Sequence, residues 1–478
     1  MRAWIERKGR AAAPAKWMVG AVLALAPLGG ASGQTLQEAL ARAYSNNPTL
    51  LAARAQLRAT DEGVPQALSG WRPTVTITGS YGVADVRNTR TNTGFDTATN
   101  VQRSPANAAA TITQPIFRGG RTAAQTRQAE NAVLAQRARL LATEQQVLAD
   151  AVSAYVGVIQ NAELVRLNTN NEQVLRRQLQ ATNERFRVGE ITRTDVAQAE
   201  SRLAGAGTAR VQAEGNLQVA RAVFQRVIGE PPGRLATPQP LRTPVRSAAE
   251  AQQMASTSNP TVVAALFAAA AARDNIDVQM AALLPQVTAS AQAFRQDNQL
   301  GRNTRQTGGQ ATLNLSVPIY QGGAEHSQVR QARQVAQQQL AAVDDARRTA
   351  AQQAAAAWEN LRSARAAVES VRAQIRAAEI ALDGVQREAI VGSRTTLDVL
   401  NAEQELLNAR TSLVNAIATV ITASYALAGT VGRLTAQDLG LPVEVYDMTA
   451  YYNAVRNRWA GVGDLAAAAL RPAAAEGR

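Results

Sequence analysis

The chain has 478 residues, a formal net charge of +13 at pH 7, a single histidine and no cysteine. This composition excludes disulfides, thiolate metal sites, an N-terminal lipid-bearing cysteine and a histidine-rich metal site. The basic residues are scattered through helical patterns without aromatic interleaving, so we expect no nucleic-acid partner.

The first 33 residues have the order of a secretory signal peptide. Five basic residues precede an apolar run over 17–28, and the small residues Ala31, Ser32 and Gly33 follow. The alternative is a short membrane anchor, but the run is too short to span comfortably. We therefore expect cleavage near Gly33 and Gln34. No later stretch offers about 20 uninterrupted apolar residues, so a membrane span would have to be a β-barrel.

The second half of the chain repeats the first. Residues 188–196 match residues 391–399 at a shift of 203 (391 − 188), and the same shift carries Tyr155 onto Trp358. Upstream, residues 47–49 match 259–261 at a shift of 212 (259 − 47). Matches this regular indicate a duplication. The predicted organisation is a signal peptide (1–33), a first repeat (34–230), a linker (231–250), a second repeat (251–441) and a C-terminal segment with a disordered Ala-rich tail (442–478).

Each repeat begins with a helix and continues into two strands. Apolar residues alternate with hydroxyl or amide residues over 74–81, 108–114, 287–293 and 311–317, which predicts four strands that extend somewhat beyond these stretches. Strands of about 9 to 12 residues are long enough to cross a bilayer when they are tilted. A soluble sheet with one apolar and one polar face gives the same alternation. The polar stretches 88–104 and 297–309 are predicted to be exposed loops.

Long helices follow the strands. No proline occurs between Arg121 and Pro231, or between Ala324 and Pro442, and apolar heptads fill the second of these stretches. The pattern predicts outgoing helices of about 68 residues, about 100 Å long, and return helices of about 33 residues. Such thin, Ala-rich arms cannot bury their faces alone, which implies oligomerisation. We assign the strand–helix junctions to Pro73, Pro115, Gly119, Gly120, Pro285, Pro318, Gly322 and Gly323.

Together these features resemble the TolC family of outer-membrane channels. The local match is strongest over 391–402, which is similar to the family's second hairpin tip, and 188–196 is similar to the first. The resemblance implies an α+β membrane protein. Three chains would form a 12-stranded β-barrel, with four strands from each chain, continued by a long periplasmic α-helical coiled-coil barrel. It also implies an outer-membrane location and no enzyme activity or cofactor.

The resemblance further implies a gate at the hairpin tips. Asp398 would form a ring of three carboxylates, and Asn401 stands where family members often have a second aspartate. Arg394 and Asp195 occupy positions where the family uses ion pairs to hold the tips closed. The competing interpretations are a helix cap for Asp398 and a weak surface pair for the others. The tip residues Val188, Gly189, Val391 and Gly392 would contact a periplasmic adaptor protein.

The expected function is therefore a passive exit channel that is opened by an adaptor and an inner-membrane transporter. That transporter would be an ABC transporter or a proton-driven pump. Residues 446–459 look like the C-terminal stretch of the secretion-linked subgroup, which favours type I protein secretion. The alternatives are the outer-membrane component of a multidrug efflux pump and, from another class, a soluble periplasmic coiled-coil adaptor.

Overall fold

The computed structural model describes residues 34–92, 95–243 and 245–463. The predicted signal peptide and the predicted Ala-rich tail from residue 466 lie outside this part of the chain. The elements in chain order are α1 (Leu36–Asn46), α2 (Pro48–Asp61), α3 (Gly63–Leu68), β1 (Thr74–Tyr81), β2 (Ala84–Asn92), β3 (Phe95–Arg103), β4 (Ala106–Arg118), α4 (Arg121–Arg187), α5 (Arg193–Ile228), α6 (Ala248–Ser258), α7 (Pro260–Met280), β5 (Gln286–Asp297), β6 (Arg305–Ser316), α8 (Ala324–Ile390), α9 (Thr396–Thr430) and α10 (Ala450–Val455).

The duplication is visible in the helix lengths. The outgoing helices α4 and α8 both have 67 residues, and the return helices α5 and α9 have 36 and 35. At 1.5 Å per residue each outgoing helix is about 100 Å long. The part of α4 nearer the sheet packs on α2, α3 and α7, and the part nearer the hairpin tip packs on α5 and α9. The chain therefore forms four helical columns: α2 with α5, then α4, then α7 with α9, then α8.

Two of these columns are built from two helices joined end to end, and an asparagine makes each joint. The side-chain amide of Asn47 donates to the carbonyl of Val227 at the end of α5, over 2.9 Å. Its Oδ1 accepts from the backbone N–H of Thr49, also at 2.9 Å, and so caps α2. Asparagine is among the best residues for this cap, and Pro48 suits the first helical position because its missing N–H would be unpaired anyway.

The second joint repeats these contacts. Asn259 donates to the carbonyl of Thr430 at the end of α9 over 3.0 Å, and its Oδ1 caps α7 through the N–H of Thr261 at 2.9 Å. Both asparagines are buried. The Asn-Pro-Thr sequence that marks the repeat is thus the joint that lets two shorter helices match one long one.

Four strands form one antiparallel sheet in the order β1-β4-β5-β6. The register aligns apolar side chains in rows across the strands: Ile112 lies beside Val75 and Ala291, and Ala291 lies beside Ala311. The intervening rows carry hydroxyl and amide groups, and the apolar rows are exposed, with Ile77 at 83%. One face therefore suits lipid and the other suits water.

The sheet has two unpaired edges, β1 and β6. Open strand edges cannot stand in lipid, because their N–H and C=O groups would lack partners. Each strand is antiparallel to its neighbour, so β6 of one chain runs antiparallel to β1 of the next. Three chains close into 12 strands, an even number within the range of known barrels.

The outer loops differ from the sequence-based prediction. Residues 88–104 are not a loop throughout, because β2 and β3 pair as an antiparallel hairpin. Likewise β5 runs to Asp297 and β6 begins at Arg305, so the second loop is only 298–304. The polar composition of both stretches predicted loops. Strands that pair outside the bilayer need no apolar face, so composition does not distinguish them from loops. Asn298 Nδ2 donates to the Ser104 carbonyl at 3.2 Å and ties the two loops together.

The helical part has a larger buried core in the first repeat than in the second. The first core gathers α1, the middle of α4, the end of α5 and residues 434–441 from beyond α9. Tyr155 is fully buried there beside Phe224, and its hydroxyl lies 2.6 and 2.7 Å from the carbonyls of Gln34 and Ala236. Its counterpart Trp358 is only partly buried, at the edge of the smaller second core.

The C-terminal segment, residues 442–463, lies on the first repeat. Tyr446 N–H donates to the Tyr44 hydroxyl at 3.0 Å, and Tyr451 donates to Glu62 at 2.8 Å. Arg72, just before β1, donates to the Arg458 carbonyl at 2.7 Å. The segment thus runs from the core to the base of the barrel.

One described helix, α9, is long and apolar enough to cross a membrane by length and composition alone. Its apolar side chains are used in helix packing instead: Leu406, Ala409 and Leu427 are buried, and α9 packs on both α4 and α8.

Candidate periplasmic gate

The two hairpin tips, residues 188–192 and 391–395, have the same backbone form. Val188 and Val391 are the C-cap residues of the outgoing helices, and the next residues, Gly189 and Gly392, both have φ of +80°. A Cβ at either glycine would meet nothing within 4 Å, so glycine is needed for this left-handed conformation and not for space. Val188 and Val391 are each 78% exposed. The four predicted adaptor-contacting residues therefore form the accessible ends of the hairpins.

Both predicted tip aspartates cap return helices. Asp398 Oδ2 accepts from the N–H of Thr395 at 2.9 Å and from its hydroxyl at 2.8 Å, while Thr395 Oγ1 accepts from the Asp398 N–H. Asp195 and Thr192 form the same reciprocal pair at the start of α5. Hydrogen bonds from the backbone and side chain of Thr395 lower the pKa of Asp398. Those from the side chain and backbone of Thr192 lower the pKa of Asp195. Both groups are therefore charged at neutral pH.

Arg394 does not pair with the tip aspartates within one chain. Its Nε lies 2.8 Å from the carboxylate of Glu388, in the last turn of α8. The first tip has a different ion pair, between Arg185 and Glu190 at 2.6 Å, in which Arg185 takes the position of Glu388 (185 + 203). Neither glutamate was singled out from the sequence. Each glutamate lies close to its arginine because the tip reverses the chain within about six residues.

Asn401 joins the two hairpins. Its Oδ1 accepts from Arg202 Nη2, on α5, at 2.9 Å. One residue earlier, Leu400 is buried with Leu175, Ala199 and Ala206 of the first hairpin. Arg202 was missed from the sequence, because only the packing of α5 against α9 shows that it faces Asn401. We name the contact between Arg202 and Asn401, with the apolar cluster around Leu400, the hairpin bridge.

At the opposite end of the long helices, the predicted junction residues fall at four kinds of position. Pro73 and Pro285 directly precede β1 and β5, and Pro318 follows β6. Pro115 lies inside β4 instead of after it, next to a register shift between Pro115 and Phe117. This position suits proline because the irregularity relieves its lost ladder hydrogen bond. Glycine pairs with positive φ lead into α4 and α8: Gly119, Gly120, Gly322 and Gly323.

The gate groups can hold charge and form ion pairs, but they do not make a reaction centre. Among the described residues no group of three or more His, Cys, Asp or Glu side chains could hold a metal ion. The arrangement consists of an apolar tip, a charged helix start and a bridge to the neighbouring hairpin. Such a constellation can resist or permit separation of helices.

A lipid-facing sheet with open edges, continued by about 100 Å of paired helices, defines a membrane channel with a long tunnel. The family model described as outer membrane efflux protein matches residues 39–230 and 251–433. The chain belongs to this family of TolC-like outer-membrane channels. It therefore lies in the Gram-negative outer membrane and extends into the periplasm. The family consists of homotrimeric channels, not enzymes, that work with adaptor proteins and inner-membrane pumps.

Relatives and solved structures agree with this assignment. The chain is 37% identical to the outer membrane efflux protein BepC of Brucella suis over 437 residues, which cover 90% of this chain and 92% of BepC. It is 26% identical to the outer membrane protein TolC of Vibrio cholerae over 322 residues, or 64% of this chain and 70% of that relative. The CmeC outer membrane channel of Campylobacter jejuni has the same fold, with a TM-score of 0.75, 15% identity and coverage of 88% and 89%.

Proposed function

We propose that the channel is a passive exit duct whose periplasmic end is closed by the hairpin tips. The tips open when an adaptor and an inner-membrane transporter engage Val188, Gly189, Val391 and Gly392. The family consists of channels and not enzymes, so we expect the energy to come from the inner-membrane partner. Opening requires the two hairpins of each chain to move apart.

The hairpin bridge is the observation that carries this proposal. It joins the hairpins at the end of the molecule farthest from the sheet, where a small rotation of a long helix produces its largest displacement. The polar part of the hairpin bridge is a single hydrogen bond from the Arg202 guanidinium to the Asn401 amide oxygen. The apolar cluster around Leu400 is small. Such a contact is strong enough to favour the closed form and weak enough for a partner protein to break.

Cross-linking the bridge tests whether it must open. The chain has no cysteine, so Arg202→Cys with Asn401→Cys can be joined selectively by a short bifunctional thiol reagent. We expect the cross-linked channel to stop exporting while remaining trimeric. The matched control is Gln160→Cys with Asn415→Cys, a pair 2.9 Å apart that joins the two hairpins through α4 and α9, away from the tips. Full export through a channel cross-linked at Arg202 and Asn401 would refute the gate.

The charge of Asp398 is a second test, because the helix cap and the charged ring predict different results. Asp398→Asn keeps a side chain that can cap the helix while removing the charge. We expect reduced block by divalent cations in planar bilayers and unchanged trimer stability. Asp345→Asn, on the exposed face of α8, is the control. If the block is unchanged, Asp398 is a cap and not a gate residue.

The cargo is proposed from two observations that point in different directions. The relative that matches 90% of the chain is described as an efflux protein, and we propose efflux of small molecules with a proton-driven pump or an ABC transporter. The C-terminal segment over 446–459, which resembles the secretion-linked subgroup, favours type I protein secretion as the second candidate. Deletion of the protein separates them: sensitivity to drugs supports efflux, and loss of a secreted protein with normal drug tolerance supports secretion.

A further inference from the structure

The lipid-facing surface of the sheet ends in a charged cluster at its outer edge. Along β5 the apolar row runs through Val287, Ala289, Ala291 and Ala293, and the same alternation then reaches Arg295 and Asp297. Successive odd-numbered residues of a strand share a face. The two charged residues therefore lie on the lipid-facing surface, directly beyond its last apolar row.

A third charge joins them from the neighbouring strand. Arg305, the first residue of β6, is the cross-strand partner of Asp297, so its side chain lies on the same face. Tyr81, at the outer end of β1, is exposed on this face of the sheet. Aromatic residues are enriched where a barrel leaves the hydrocarbon. The row of Tyr81, Asp297 and Arg305 thus marks the level of the lipid head groups.

This end of the sheet faces the outside of the cell. All four strands connect to the periplasmic helices at their other ends, through the junctions before β1 and β5 and after β4 and β6. A charged residue on the lipid face is strongly destabilising at the bilayer midplane but costs little at the interface. The charges are tolerated here because they reach the head groups of the outer leaflet.

The three side chains have a specific arrangement. Arg295 Nε donates to Asp297 Oδ2 at 3.1 Å, and Arg305 Nε donates to Asp297 Oδ1 at 2.6 Å. One carboxylate therefore holds two guanidinium groups side by side, leaving one net positive charge. Neither guanidinium makes another ion pair within the described residues, and their side chains are 53% and 66% exposed. Their outer amino groups remain available to a ligand.

We propose that Arg295 and Arg305, oriented by Asp297, bind a phosphate group of a lipid in the outer leaflet. Arginine matches phosphate geometry with two parallel hydrogen bonds, and two adjacent guanidinium groups can hold one phosphate from both sides. The apolar rows below the cluster contact the acyl chains of the same lipid. A lipid is favoured over free phosphate because the site continues without a break into the lipid-facing surface.

The test measures lipid bound to the detergent-solubilised trimer by native mass spectrometry. The probes are lipid A with its phosphates, the same lipid after enzymatic dephosphorylation, and inorganic phosphate. We expect Arg295→Gln with Arg305→Gln to weaken lipid A binding about tenfold. Removing the phosphates should weaken binding to the unmodified protein by a similar factor, which makes the test independent of whether the variant folds. Arg302→Gln, in the adjacent outer loop, is the control and should bind as the parent does.

The Asp297→Asn variant separates an oriented site from general attraction. It raises the net positive charge, so simple charge attraction predicts tighter binding, whereas an oriented pair of arginines predicts weaker binding. Tighter binding would overturn the proposal. Equal binding of dephosphorylated lipid, or an equal loss with Arg302→Gln, would do the same. Displacement of lipid A by millimolar inorganic phosphate would show a free-anion site instead of a lipid site.

Discussion

The two repeats share their joints and tips but differ in what covers them. Asn47 and Asn259 make the same hydrogen bonds, and Gly189 and Gly392 have the same φ. Only the first repeat carries the C-terminal segment and the larger core. Both repeats therefore kept the contacts that set helix geometry after duplication. The C-terminal segment then packed on the first repeat alone and enlarged its core.

The glycines that end the return helices provide the strongest test of this difference. Gly229 and Gly432 both have positive φ, but only at Gly432 would a Cβ lie 2.6 Å from a backbone oxygen, that of Ser258. We expect Gly432→Ala to lower the free energy of unfolding by about 3 kcal/mol, through strain and overpacking together. Gly229→Ala should cost about 1 kcal/mol, from the left-handed conformation alone. Urea unfolding followed by circular dichroism measures both, and equal effects would contradict the difference between the joints.

Asp61 sharpens the comparison because the C-terminal segment packs over its helix. It is 1% exposed, its carboxylate oxygens have no hydrogen-bond partner, and burial raises its pKa to about 6 despite Arg137. Since its folded pKa exceeds the unperturbed value of 3.8, protonation favours the folded state. This stability is full below about pH 4 and is lost as the pH rises through 6. Asp61→Asn should therefore stabilise the protein at pH 8 by about 2–3 kcal/mol.

The repeat supplies the control for this prediction. The position equivalent to Asp61 is the exposed Arg273 (61 + 212), where Arg273→Gln should leave the pH dependence of stability unchanged. Thermal dissociation of the trimer between pH 4 and pH 8 measures both variants. A pH profile of Asp61→Asn that follows the parent would show that the buried carboxyl does not titrate in this range.

The asparagine joints are expected to behave alike. Asn47→Ala and Asn259→Ala each remove a helix cap and leave a helix-end carbonyl without its donor, at a cost of about 2 kcal/mol. Urea unfolding of the two variants side by side gives the comparison. A clearly smaller effect of Asn47→Ala would mean that the larger core of the first repeat compensates for its joint.

The ion pairs at the tips should have the smallest effect. Arg394 with Glu388 and Arg185 with Glu190 are largely exposed, and such pairs contribute less than about 1 kcal/mol. Glu388→Gln and Glu190→Gln should therefore leave trimer stability nearly unchanged. Single-channel recordings decide their role: more frequent opening with Glu388→Gln alone would assign gating to the second tip.

Much of the fold could be predicted from the sequence because its signals are long and periodic. The absence of proline predicted α4 and α8 almost to their ends, apolar heptads supported α8, and alternation predicted the four sheet strands. The hairpin of β2 and β3 was missed because paired strands outside the bilayer need no apolar face, so residues 88–104 have the composition of a loop.

The candidate gate was predictable only where it depends on neighbouring residues. Asp195 and Asp398 follow the tip glycines and a threonine, a local pattern that places them at helix starts. Arg202, which lies 199 residues from Asn401, carries no comparable signal. Asp61 was also missed, since nothing around it in sequence shows that the far end of the chain covers its helix.

The C-terminal segment also constrains the order in which the molecule can form. Glu144 in α4 receives its backbone hydrogen bond from Ala436, 292 residues away, and Tyr44 bonds Tyr446 across 402 residues. The first repeat enters the periplasm first, yet its core closes only when the last part of the chain has arrived. Contacts this distant in sequence form slowly, and the first repeat keeps its apolar surface open while it waits. We therefore expect a chain that lacks residues 434–459 to leave the apolar surface of the first repeat uncovered.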